Sequence, residues 1–451
     1  MASPAQLRAL GLFEARAPRY TSYPPANHFG TAVTAETVAG WQRDIPAGAR
    51  ISLYLHIPYC RRLCWFCACR TQGTATDRPL TPYLAQLRAE LALLAQNLRP
   101  DVTLAQIHLG GGTPTLLPAP MLRALGGMLK SFRPWAEDIE FSVEIDPTEV
   151  DADRISALRD IGMTRASIGV QDFDPVVQDS IGRQQSFETT RDVVAMLRDA
   201  GIRSVNMDIL YGLPHQTQER MRDCVRKVIS LSPDRIALYG YAHVPWMAKR
   251  QALIPAEALP EPDARLDLFD TARRLFLWDG YQEIGIDHYA RPNDSLAIAA
   301  STGQMHRNFQ GYTADDCEVL IGLGASAISR YPQGFAQNAP ASSAYATAIE
   351  AGRLATTRGH AMSADDHLRG EMIERLMCDF AIDLLDIART HNLPLATLEE
   401  MTAPLRARFA DHVRYENHRI TLTSAARLIA RLAAQEIDAY AMPAGAHSRA
   451  M

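Results

Sequence analysis

Long apolar runs are missing from this sequence. None of its 451 residues belongs to a hydrophobic stretch of about eighteen or more, so no membrane-spanning helix is expected. A strong excess of charge of one sign is missing too. The formal net charge is −5, without the concentrated basic face that a nucleic-acid partner requires. The opening MASPAQLRALGLFEARAPRY has no adequate apolar core and carries Glu14, Arg8, Arg16 and Arg19, so it does not read as a signal peptide. A disulfide framework is also absent. Cys224, Cys317 and Cys378 are scattered, while the other four of the seven cysteines crowd together. That distribution points to a reducing cytoplasm. What is present is ordinary for a globular chain, with 47% hydrophobic and 22% charged residues. The length suits a core domain with an appendage.

From about residue 50 the chain alternates between short apolar runs and helical patterns. Strands are expected at 51–57 (ISLYLHI), 104–109, 140–145, 164–170, 202–210, 235–241 and 283–287. Helices are expected between them: one opening at Thr81-Pro82, with Thr81 as cap, and others near 119–132, 151–160, 217–231 and 264–278. LRDIG at 158–162 and LRDAG at 197–201 form a weak repeat, each a helix end with a glycine exit before a new strand. Helices separating apolar strands imply right-handed βαβ units and a parallel sheet. The class is therefore α/β, a partial or full barrel, with a flat doubly wound sheet as the alternative. Residues 288–316 read as a long irregular segment with a functional role. From 362 to 440 the pattern is helical with one short strand near 418–423, possible for a winged-helix type, and 442–451 reads as a frayed tail.

The crowded cysteines lie in HIPYCRRLCWFCACR, residues 56–70, as Cys60, Cys64, Cys67 and Cys69. Three chemistries use such thiols. A structural zinc site needs a second ligand pair, which the scattered cysteines do not offer. A redox dithiol uses C-x2-C, but two further thiols in the same loop weaken it. An iron–sulfur cluster takes thiolates from a loop. Three ligands at C-x3-C-x2-C would leave one iron open to a small molecule.

C-x3-C-x2-C after a first barrel strand is the signature of the radical S-adenosylmethionine (SAM) enzymes. Together with Cys69, YLHIPYC, RYTSYP at 19–24, GGGTPT at 110–115, GVQDF at 169–173 and HRNFQGYT at 306–313, it makes the chain resemble the oxygen-independent coproporphyrinogen III oxidases. The likeness runs from about residue 16 into the C-terminal region. It implies a partial (β/α)6-type barrel over 49–360 with a substrate loop near 288–316, an N-terminal extension over 1–48 covering the active site, and a small, mostly helical C-terminal domain and tail over 361–451. It implies Cys60, Cys64 and Cys67 as ligands of a 4Fe–4S cluster, with Cys69 outside the ligand set. Two SAM molecules are implied. Tyr54, Gly111, Glu144 and Ile328 would contact the cluster-bound one. Phe66, Gly112, Thr113, Gln171, Arg183, Asp208 and Ala242 would contact the other.

The reaction implied is loss of CO2 from two propionates of coproporphyrinogen III to leave vinyl groups, begun by a 5′-deoxyadenosyl radical. A flat substrate with four carboxylates calls for arginines, and Arg19, Arg291 and Arg307 are the candidates. The implied partners are this substrate and an electron donor such as a flavodoxin or ferredoxin, with a monomeric chain and no nucleic acid or membrane. A related haem-binding chaperone is the alternative, but its relatives lack the fourth cysteine and RYTSYP and carry HNxxYW in place of HRNFQGYT. Another tetrapyrrole-directed radical SAM enzyme, such as a methyltransferase-like relative, is the second.

Overall fold

Arg50–Ile57 (β1) is buried along almost its whole length, on both faces, as a strand between two covered layers must be. It opens a series of six parallel strands, continued by Thr103–Gly111 (β2), Trp135–Ile145 (β3), Arg165–Gln171 (β4), Ser204–Tyr211 (β5) and Arg235–Gly240 (β6). The computed structural model describes residues 4–440; the tail expected at 442–451 lies outside the described residues.

Helices fill the crossovers at Leu80–Asn97, Ala119–Phe132, Ala152–Ile161, Phe187–Asp199 and Gln218–Ser230. The Asp151 carboxylate caps one by accepting from the Arg154 N–H, and Gly162 ends it at φ +111, the left-handed exit that the LRDIG repeat predicts. The expected Thr81 cap is not used. That helix starts at Leu80, after Pro79, with no side-chain cap, and Pro82 falls in its first turn, where a missing N–H breaks no hydrogen bond.

The sheet continues past both ends of the parallel series. After the helix Pro262–Trp278 come Gln282–Ile284 (β7) and His288–Ala290 (β8), and β8 pairs antiparallel with both β6 and β7. The strand expected at 283–287 is therefore not a further βα unit but part of a terminal hairpin. At the other end Val319–Leu323 (β9) runs parallel to β1, and Ile328–Tyr331 (β10), Gly334–Asn338 (β11) and Thr356–Ala361 (β12) add antiparallel strands. The order β12-β11-β10-β9-β1-β2-β3-β4-β5-β6-β8-β7 makes one open, twelve-stranded, mostly parallel sheet.

Residues 288–316 are not irregular. They hold β8, a helix Ser295–Ser301 capped by Asp294, and a hairpin of His306–Asn308 with Gly311–Thr313. Elements of three residues are too short for periodicity to reveal. The C-terminal region is mostly helical, as expected, but its single expected strand is one of three: Ala381–Asp383, Arg419–Leu422 and Val413–Glu416, in that spatial order.

Behind β1 lies a buried carboxylate. Glu90 accepts hydrogen bonds from Tyr345 Oη (2.7 Å), Asn338 Nδ2 (2.7 Å) and the Gly324 N–H (2.7 Å). Next to it, Tyr83 Oη donates to the His56 carbonyl and accepts from the Ala325 N–H. This network fixes the turn after β9 against the end of β1. Burial pushes the Glu90 carboxyl up to about 7, against the opposing effect of its three donors. A carboxyl whose folded pKa is raised contributes stability that is complete below its unfolded value and is lost as pH rises through the folded one. Relative to a Glu90→Gln variant, the wild-type chain should lose about 2–3 kcal/mol between pH 5 and 7. The difference in Tm between the two proteins, followed across that range, checks this; a difference independent of pH contradicts it.

Candidate active site

Residues 58–71 form a loop at the C-terminal end of β1, the end of a β/α sheet where ligands bind. Its base is stitched by Gln72 N–H to Pro58 O and Thr74 N–H to Cys60 O. Cys60, Cys64 and Cys67 are half-buried and none is in a disulfide. Donors converge on their sulfurs. Arg183 Nη1 lies 3.4 Å from Cys64 Sγ, and the Cys69 N–H points at Cys67 Sγ at 3.4 Å. The Cys69 thiol also hydrogen-bonds Cys67, which draws the Cys67 pKa down and pushes that of Cys69 up. These bonds favour a thiolate at Cys67 and a neutral thiol at Cys69, while burial pushes the Cys60 thiol up to about 11. Among the described residues, only Asp315, Asp316 and Cys317 bring three ligand atoms within 4.8 Å of one another.

The glycine run packs against this loop. Gly112 N–H donates to Ile57 O and Thr113 N–H to Tyr59 O, both at 2.8 Å. A Cβ on Gly112 would stand 2.5 Å from the Tyr59 oxygen, and one on Gly111, at φ +108, would stand 2.5 Å from the His56 ring. Gly111 N–H donates to Glu144 Oε2 (2.9 Å) at the end of β3, and His108 Nε2 lies 3.3 Å from Glu144 Oε1. Burial alone would raise the Glu144 carboxyl, but His108 and the Gly111 N–H hold it below its ordinary value. Tyr54 stacks on His108 at 5.7 Å and bonds His56 Nδ1 at 3.0 Å. His56 Nε2 in turn meets the Arg70 carbonyl of the cysteine loop at 3.0 Å. Ile328 begins β10, its backbone against Gly322, which is paired with Tyr54. Tyr54, Gly111, Glu144 and Ile328 thus adjoin one another on β1, β2, β3 and β10.

The other predicted residues continue round the same end of the sheet. Gln171 closes β4 at φ +68, next to a register shift between Gly169 and Gln171. Such a bulge re-aims a side chain, and its strain is typical of a functional position. Arg183 is buried, with Nη1 3.2 Å from Asp146 and Nη2 donating to Gly169 O at 2.9 Å. It is no surface ion pair but a bridge between the cysteine loop and the end of β3. Asp208 on β5 accepts from Asn206 Nδ2 (2.8 Å) and Ser167 Oγ (3.3 Å), and burial pushes its pKa up to about 6. Phe66 packs beside Val177, Ile181, Leu210 and Tyr241. Gln251 Nε2 ties the Phe66 carbonyl (2.7 Å) to the Ala242 carbonyl (3.1 Å).

Ala242 also lines a cavity of about 530 Å³ that opens beside β6. Five arginines face it: Arg16, Arg19, Arg265, Arg307 and Arg431, with Tyr211, Tyr239 and Tyr241 as aromatic walls. Arg307 is buried, lies 4.4 Å over the Tyr312 ring, and leaves Nη1 without a hydrogen-bond partner. Arg431 donates to the carbonyls of Ala17 and Pro18. Burial, then the charges of Arg19 and Arg307, bring the Arg431 pKa down to about 9. Asp287 lies on the same wall, and its carboxyl, raised by burial, is carried below its ordinary value by His288, Arg307 and Arg19. Two of the three predicted substrate arginines are here. Arg291 is not: it pairs with Asp279 (2.8 Å) and stacks 3.8 Å over Tyr281, a fixed structural role near the end of the helix Pro262–Trp278. Sequence reasoning missed Arg16, Arg265, Arg431 and the histidines His56 and His108. Only Arg431 left a signal, as one of two cations, with Arg427, in the mostly apolar ARLIARLAAQ.

Residues 54–228 match the Radical SAM superfamily. The chain is 56% identical over its whole length to the oxygen-independent coproporphyrinogen III oxidase of Paracoccus denitrificans, with 100% of both chains covered. It is 37% identical to that of Pseudomonas aeruginosa, covering 95% and 94% of the two chains. The solved structure of the Escherichia coli coproporphyrinogen III oxidase, described as a radical SAM enzyme, superposes with a TM-score of 0.90 at 35% identity, over 94% of this chain and 98% of that one. By its identity to these relatives over nearly their full length, the chain belongs to the oxygen-independent coproporphyrinogen III oxidases of the radical SAM superfamily.

Proposed function

We propose that this chain is the radical SAM oxidoreductase that converts two propionates of coproporphyrinogen III to vinyl groups, releasing CO2 and yielding protoporphyrinogen IX. The carrying observation is the arginine-lined cavity that meets the cysteine-loop site at Ala242. A cluster held by Cys60, Cys64 and Cys67, acting with SAM, supplies the hydrogen-abstracting radical. The chain's own groups do the rest. Arg183 and the Cys69 N–H place positive charge and a donor at the ligand sulfurs. Glu144, held ionised, accepts from an ammonium or a ribose hydroxyl, and the Gly111–Thr113 backbone allows the ligand close approach. Arg19, Arg307 and Arg431 hold carboxylates, while the tyrosine walls take the flat apolar body of the substrate.

Two SAM sites fit these groupings. Tyr54, Gly111, Glu144 and Ile328 surround the first, next to the cysteine loop. Phe66, Gly112, Thr113, Gln171, Arg183, Asp208 and Ala242 surround the second, between the first and the cavity. The N-terminal extension acts as cover, since Leu12, Arg16 and Arg19 line the cavity mouth. We read the chain as a cytoplasmic monomer supplied with electrons by another protein; no helix among the described residues is long and apolar enough to cross a membrane.

Anaerobic reconstitution followed by SAM, reductant and coproporphyrinogen III should give protoporphyrinogen IX with 5′-deoxyadenosine, and equilibrium dialysis should find two SAM per chain. A fully reconstituted sample that forms neither product overturns the function. Cys64→Ser should lose its iron and Cys69→Ser should keep it, as read by iron analysis and EPR; loss in both overturns the division of the four thiols. Arg19→Met should raise KM for the porphyrinogen about tenfold, ~1.4 kcal/mol, with iron content unchanged. An unaltered KM removes Arg19 from the carboxylate site.

A further inference from the structure

Two stretches without a single carboxylate meet at the cysteine loop. Neither 58–76 nor 240–256 contains Asp or Glu, although the whole chain carries a formal charge of −5. Between them they bear Arg61, Arg62, Arg70, Lys249 and Arg250. The two are joined by side-chain bonds: Arg250 Nη2 donates to Cys69 O (3.2 Å) and Thr71 Oγ1 (3.1 Å), and Gln251 spans to Phe66. At this junction Ala68, Cys69, Arg70 and Lys249 are exposed. So are two large apolar side chains that a free surface would normally cover, Met247 at 62% and Leu253 at 59%. Arg358, from β12, adds to the charge. Its pKa is lowered by burial and then by the nearby Arg70, so like charges stand together there. Among the described residues, Arg61 alone of the group has an ion-pair partner, Asp77, with Glu149 near Arg61 and Arg62.

Cations beside exposed apolar side chains are the makings of a transient protein interface, and their charge selects an acidic partner. Its position selects the partner's task, because exposed Ala68–Arg70 follow directly on the ligand Cys67. We propose that this face docks an acidic electron-carrier protein that delivers one electron to the cluster, an inference resting on the radical SAM reading of the cysteine loop. The balance is simple: the carrier's reduced flavin is oxidised by one electron, the cluster is reduced by one, and no covalent bond of this chain changes. Steering by opposite charge raises the encounter rate and makes it depend on salt.

Reduced flavodoxin, an acidic flavin carrier, is the probe, with dithionite as a reductant that needs no docking. In the cluster-loaded enzyme, the rate of cluster bleaching by flavodoxin should fall as salt rises. Lys249→Glu should lower it at least about fivefold at low ionic strength, and Leu253→Asp should lower it at every salt concentration, while iron content and bleaching by dithionite stay at wild-type values. Calorimetric titration of oxidised flavodoxin into cluster-free chain should show the same losses of affinity. Wild-type rates and affinities in both variants, or a wild-type rate indifferent to salt, overturn the docking face. Failure of the chain to take up iron, or of dithionite to bleach it, overturns instead the reading of the cysteine loop, and the titration on cluster-free chain then decides the docking face alone.

Discussion

The backbone contact between the glycine run and the first turn of the cysteine loop is the constraint on which the rest of the site depends. Gly112 and Thr113 carry the β1–β2 pairing beyond the regular strands, so the loop leaves the sheet from a fixed base. Gly111 in the same run brings its N–H to Glu144 and leaves room for the His56 ring, which reaches on to the Arg70 carbonyl. The cysteine loop, the carboxylate and the imidazoles are therefore positioned by one approach that a Cβ on Gly111 or Gly112 would block. The buried Glu90 and Tyr83 brace the same strand from behind, fixing the far side of β1 through the turn after β9.

A second constraint is electrostatic. Five arginines around one cavity, with Asp287 and Glu261 as the acids on its wall, form a site whose charge is incompletely balanced by the protein. Burial and then the charges of Arg19 and Arg307 lower the Arg431 pKa, and Arg307 Nη1 is buried without a hydrogen-bond partner. Leaving buried donors without acceptors costs stability unless a ligand supplies them. A substrate with several carboxylates answers that need better than a neutral molecule of the same shape. The tyrosines do the complementary work, as apolar surface between charged corners.

The parallel sheet and its crossover helices were legible because the strands are long and apolar and the helices end in readable signals. The helix at 119–132 falls where its periodicity puts it, and Asp151 and Gly162 act as cap and exit. Short elements were not legible: a three-residue strand or a one-turn hairpin within 288–316 has too few residues for any period. Nor did sequence place the Leu80 helix start, because the first turn leaves several N–H groups free and so constrains the cap weakly. In the site, residues carried by motif stood out, and those assembled from distant segments did not. Arg291 shows the limit. An arginine in an aromatic, polar stretch looks the same whether it faces a cavity or folds onto its own neighbours Asp279 and Tyr281.

The bond from Arg431 to the carbonyl of Pro18 joins residues 413 positions apart in the chain. The cysteine loop and its glycine partner, by contrast, both lie within the first 113 residues. A contact so distant in sequence carries a larger loop-closure cost than the Gln72 N–H to Pro58 O bond at the base of the cysteine loop. Loosening either the segment around Pro18 or the helix that carries Arg431 therefore opens the arginine-lined cavity without first disturbing that base.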